Sequence, residues 1–155
     1  MAKKSKNEVK PKEEIIELTK EEKERFVEDL VLTGGTTYEK TVFNDKLKLK
    51  FRTLSGNEQL EIEQELTNPD SSTAYILHNY SLHLISYSLL TYGDKDISKM
   101  NAKERLEFVK ALSNPMIDIL IGTYNEFQKK IQACTKGEVL DEVFFTTPSI
   151  DSEPN

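Results

Sequence analysis

The sequence predicts a mostly helical α+β domain, in which one β-hairpin at about residues 37–54 packs on a bundle of about five helices. Three observations predict it. First, the stretch from Ser71 to Gly93 carries no charged residue, in a chain whose Asp, Glu, Lys and Arg make up 31% of the total. Second, charged segments with helix-capping signatures flank that stretch on both sides. Third, between Gly34-Gly35 and Ser55 the apolar period drops from that of a helix to the alternation of a strand. A chain of 155 residues is long enough to bury one core without staples. The expected organisation is a disordered basic leader over 1–18, a single domain over 19–146 and a disordered acidic tail over 147–155.

Thr19 opens a T-x-x-E capping box with Glu22, in which each side chain satisfies the other's backbone donor. The helix that follows, to about Leu32, shows Phe26, Val27, Leu30 and Val31 as its apolar edge and is expected to dock lightly. Gly34-Gly35 stops it. TYEKTVFNDKLKLKFRTL then reads as two strands joined at Asn44-Asp45, residues that accept a positive φ. Alternation puts Leu47, Leu49 and Phe51 on one face and Lys46, Lys48, Lys50 and Arg52 on the other. Ser55 and Glu58 form a second capping box, opening a helix to about Leu66 with Leu60 and Ile62.

Asn68-Pro69-Asp70 turns the chain into the uncharged stretch, which reads as one central core helix ended by Gly93-Asp94. Its length would allow a membrane span, but His78, Asn79, Ser81, His83, Ser86 and Ser88 argue for a protein interior instead. Asn101 and Glu104 make a third box before Leu106, Phe108, Val109 and Leu112. Asn114 is the expected cap of the last long helix, with Pro115 at its first position. That helix shows a stripe from Met116 to Ile131, and Asp118, Asn125, Glu126, Lys129 and Lys130 fall on its expected solvent side. Gly137 breaks it, and Val139, Leu140, Val143, Phe144 and Phe145 follow as an apolar patch.

Composition narrows the function. A net charge of −6 weighs against nonspecific nucleic-acid binding, which relies on Lys and Arg. One cysteine, Cys134, leaves no internal disulfide and suits a reducing compartment. With no apolar signal region behind the N-terminal lysines, residence in the cytoplasm is expected. His78 and His83 stand five apart, about 140° around a helix, and so diverge from any shared metal. Cys134 near a helix C-terminus lacks the field that favours a thiolate, and Gly34-Gly35 lacks the residues of a phosphate loop. No enzyme, metal, cofactor, small-molecule substrate or membrane is therefore expected. The candidate partner-binding residues are the basic strand face (Lys46, Lys48, Lys50, Arg52) and the apolar patch (Leu140, Phe144, Phe145). Reversing the four basic charges is expected to weaken partner capture and to leave folding intact.

Three segments together carry a family resemblance: KLKLKFRTLSGNEQLEIE (46–63), SNPMIDILIGTYNEFQKKI (113–131) and FFTTPS (144–149). In layout the chain resembles the tail assembly chaperones and related baseplate-hub accessory proteins of long-tailed bacteriophages. The resemblance implies a non-enzymatic protein in the host cytoplasm that binds tape-measure or baseplate-hub proteins during tail assembly. It brings no catalytic signature to place on this chain. Two alternatives stay open: a structural subunit that remains in the virion, and a nucleic-acid-binding regulator. Oligomeric state is open as well.

Overall fold

The computed structural model describes residues 16–67 and 70–135. Its elements run α1 (Lys20–Thr33), β1 (Thr37–Val42), β2 (Leu47–Arg52), α2 (Gly56–Glu65), α3 (Thr73–Ser88), β3 (Leu89–Tyr92) and β4 (Lys95–Asp96), followed by a 3-10 turn at Ile97–Lys99, α4 (Ala102–Lys110) and α5 (Asn114–Thr135). The class is α+β with helix predominating, as expected. The three capping boxes at Thr19, Ser55 and Asn101 are formed with both reciprocal bonds, each cap contributing about 1 kcal/mol to its helix. Gly34 closes α1 in the left-handed region at φ 74°, donating its N–H to the Leu30 carbonyl.

The hairpin is part of a larger sheet. Four antiparallel strands lie in the order β1-β2-β3-β4. β3 comes from residues that the sequence reading gave to the central helix, which instead ends at Ser88. A short apolar run fits helix or strand equally by periodicity. Here the aromatic and branched residues Thr91 and Tyr92, and a two-residue turn at Gly93 and Asp94, tip it to strand. Gly93 has φ 59°, which the first central residue of such a hairpin requires. β1 and β2 join through residues 43–46, with Phe43, Asn44 and Asp45 all at positive φ. Asn and Asp tolerate this conformation, whereas Phe43 pays about 1–2 kcal/mol for it with its ring half exposed.

The core lies between one face of the sheet and α1, α3 and α5. Tyr38, Leu49, Phe51 and Leu89 meet Phe26, Ile85, Leu120, Tyr124 and Phe127 there. Tyr38 stacks on Phe127 at 5.5 Å between centroids, and Phe26 and Tyr124 approach the same ring. α1 therefore docks by two fully buried side chains, Phe26 and Val27, more firmly than its polar sequence suggested. Leu18, just before α1, also packs against this core. α3 differs from expectation in burial too. Its second half is buried, but Tyr75 and Leu77 in its first turns are 60% and 61% exposed. These two lie about 160° apart around the helix, so that end stands clear of the body on two sides.

In α5 the Ser113 carbonyl accepts the N–H groups of Met116 and Ile117, which moves the cap one residue before Asn114. Among the described residues no helix is long and apolar enough to cross a membrane. Most of the basic leader, the Gly137 break, Leu140, Phe144, Phe145 and the acidic tail lie outside the described residues.

Candidate functional site

Strand alternation decides which side of the sheet can meet a partner. On β2, Leu49 and Phe51 are wholly buried, while Lys48 faces solvent and Lys50 and Arg52 are part-covered. On β1 the outward residues are Thr37, Glu39 and Thr41, opposite Arg52, Lys50 and Lys48. Lys46 sits exposed in the hairpin loop, just before β2. Lys48, Lys50 and Arg52 share the outer face of β2, whereas Lys46 precedes the strand, and the four are not equivalent.

Arg52 is committed to the fold. Its Nη1 and Nη2 donate to the two Glu58 oxygens at 2.9 and 2.6 Å, and Nη1 also reaches the Thr53 carbonyl. Glu58 is at the same time the reciprocal residue of the Ser55 box, so one carboxylate ties the end of β2 to the start of α2. The Arg52 bonds, with the Ser55 N–H, hold the Glu58 carboxyl below its usual range against the opposing effect of burial. Reversing Arg52 would therefore damage the fold, contrary to the expectation drawn for all four positions together.

The other three cations are freer. Lys48 Nζ lies 3.3 Å and Lys50 Nζ 4.0 Å from a single oxygen, Glu39 Oε1. One carboxylate cannot neutralise both. Lys46 enters no ion pair among the described residues. The result is a lysine cluster of moderate positive charge on an open sheet face and the loop beside it.

The β1 edge of the sheet is guarded by comparison. Lys40 points inward from β1 and binds Glu126 of α5, and Arg25 donates to the Thr37 carbonyl at 3.3 Å. An inward charge on an edge strand discourages a further strand from adding there. The outer face beside that edge stays accessible, with the Lys48 side chain 57% exposed.

No family model matches the chain, and neither a curated protein nor a solved structure gives a match.

Two other groups matter for chemistry. His83, 9% exposed, has Nδ1 at 3.1 Å from Glu65 Oε2, whereas His78 is exposed in a different direction. A cavity of about 200 Å³ with Glu65, Tyr75, Asn79, His83 and Lys110 in its wall opens beside the pair. No spacing in the sequence links positions 65 and 83, because the pair forms only where α2 packs against α3, as Gln59 does with Tyr80 and Glu61 with Tyr87. Cys134 is fully buried, and burial raises its thiol above the ordinary range. Among the described residues no three of His, Cys, Asp and Glu gather as a metal set.

Burial lowers the His83 pKa below 6.5, Glu65 opposes this and Lys110 reinforces it. The neutral imidazole is thus favoured in the fold, and the unfolded chain binds more protons between the folded value and 6.5. Stability should fall as pH drops through that window and level off below it. Urea midpoints at pH 7.5, 6.5 and 5.5 should show this slope in the wild type and a flatter profile in His83→Gln. Equal slopes in the two proteins would show that His83 is not its source.

Proposed function

We propose that this chain is a non-enzymatic protein-binding factor that holds an acidic surface of its partner against the outer face of the sheet. The observation that carries this reading is the cluster of Lys48 and Lys50 on the outer face with Lys46 in the adjoining loop, in which Glu39 is the one ion-pair partner among the described residues and Asp45 is held by Thr41, beside a β1 edge guarded by Lys40. Following the resemblance in layout, the partners are bacteriophage tail components, a tape-measure or baseplate-hub protein, kept assembly-competent in the host cytoplasm. The apolar residues Leu140, Phe144 and Phe145 belong to the same proposal as a second contact.

The test is a pull-down from infected cells with the wild type and with K46E/K48E/K50E, which spares Arg52. Like charges facing one another across an interface cost several kcal/mol, so recovery of tail proteins should drop by at least about tenfold. Unchanged recovery would sink the surface assignment. Proteomics of the finished particle separates the roles: absence from it fits an assembly chaperone, and a fixed copy number means a structural subunit. Capture of DNA with a steep salt dependence would replace both with a nucleic-acid regulator.

A further inference from the structure

The tip of the β1–β2 hairpin carries a residue that its own geometry does not call for. Phe43, Asn44 and Asp45 stand at φ 57°, 53° and 63°, three left-handed residues in succession. The loop closes with the Lys46 N–H donating to the Phe43 carbonyl at 3.3 Å, and strand pairing resumes at Val42 and Leu47. Left-handed turn positions call for Gly, Asn or Asp. Asn44 and Asp45 meet that demand and Phe43 does not. Its Cβ is crowded by the following carbonyl, a strain that asparagine tolerates better and glycine lacks.

The ring contributes little to the fold. Phe43 is 51% exposed and lies outside the core cluster. Among the described residues no ring contact or cation–π contact includes it. Val31, Leu32, Leu60, Tyr75 and Leu77 are exposed too, but of these large apolar residues only Phe43 is held at positive φ. A strained conformation that supports no packing points to a use outside the domain.

Its neighbours give the chemistry of that use. Phe43 and Lys46 are the first and last residues of one turn, so their α-carbons lie within about 7 Å of each other. Lys48 follows about 7 Å further along β2, and its side chain is 57% exposed. Asp45, in the same loop, accepts from the Thr41 hydroxyl at 2.6 Å. The hairpin tip therefore presents an open ring beside two exposed cations.

We propose that Phe43 is the apolar anchor of the partner surface, seated among apolar side chains of an acidic protein partner whose carboxylates meet Lys46 and Lys48. This rests on the reading of the lysine face as the partner surface and names the side chain that fixes the partner there. Aromatic residues are enriched at the centres of interfaces, with polar contacts around them. The exposed half of the ring offers about 100 Å² of apolar surface, enough to change affinity by at least about tenfold.

The test uses the full chain and two labelled probes, a Glu-Leu repeat peptide and a Glu-Ser repeat peptide of equal length, read by fluorescence anisotropy at low salt. Wild type should bind the Glu-Leu peptide about tenfold more tightly than the Glu-Ser peptide. F43N should bind the two alike, and F43Y should keep the preference. The urea midpoint of F43N should match or exceed that of wild type, because Asn accepts the left-handed conformation. The inference is overturned if wild type binds the two peptides alike or if F43N keeps the preference. A lower midpoint in F43N also overturns it, since the ring would then serve the fold. In those cases loss of both peptides in K46E/K48E/K50E would leave the partner-surface reading standing. Binding that is unchanged in K46E/K48E/K50E, or no binding of either peptide to wild type, would remove both.

Discussion

Replacing Phe127 by alanine should lower the stability of this domain by about 3–5 kcal/mol, the range for truncating a buried aromatic. Phe127 is fully buried and is the ring on which three elements converge. Tyr38 of β1 stacks on it, Phe26 of α1 lies 6.3 Å away and Tyr124 of its own helix makes an edge contact at 6.4 Å. The cavity left by alanine cannot close by moving one neighbour, since those neighbours belong to a strand and two helices fixed elsewhere. A domain of this kind has only about 5–15 kcal/mol in total, so the variant should show a much lower urea midpoint. Leu77→Ala is the matched control: it removes an apolar side chain that is 61% exposed and should stay within about 0.5 kcal/mol of wild type. If the two variants shift the midpoint equally, the core is not where the structure puts it.

What could be read from the sequence divides along the range of the interactions. The three capping boxes were legible because a box is complete within four residues. The face of β2 was legible because alternation alone assigns Leu49 and Phe51 inward and Lys48 outward. β3 was not, because Leu89-Leu90-Thr91-Tyr92 continues an apolar run whose period cannot separate strand from helix. The stripe of apolar residues in α3 suggested cover on all sides, yet nothing local says that Leu77 lies beyond the reach of α4 and α5.

The candidate site shows the same division. The cluster of lysines was visible, but the commitment of Arg52 to Glu58 was not, since Glu58 already had a full explanation in its capping box. Glu126 and Lys130 were placed on the solvent side of α5. They turn instead toward β1 and α1, which lie far away in sequence, and Lys130 keeps only 12% of its side chain exposed.

Glu126 therefore supports the fold, and its removal should be the second most damaging of the changes considered. Its Oε1 accepts from the Tyr38 hydroxyl at 2.7 Å, and its Oε2 accepts from Lys40. In Glu126→Ala, Lys40 remains 37% exposed and can be rehydrated, so its loss counts for little. The Tyr38 residue is 7% exposed. Its orphaned hydroxyl should cost about 1–3 kcal/mol. A cycle with Tyr38→Phe isolates that share, because Glu126→Ala should be milder once the hydroxyl is gone. The sign of the pH dependence follows from the same contacts. Burial pushes the Glu126 carboxyl up, but the bonds from Lys40 and Tyr38 outweigh it and hold the pKa below 4.5. The contribution is then fully present above 4.5 and is lost as pH falls through the folded value, where the unfolded chain takes up the proton first. The difference in urea midpoint between wild type and Glu126→Ala should accordingly narrow from pH 7 to pH 3. A difference that stays constant would mean that the carboxylate charge takes no part in holding β1 to α5.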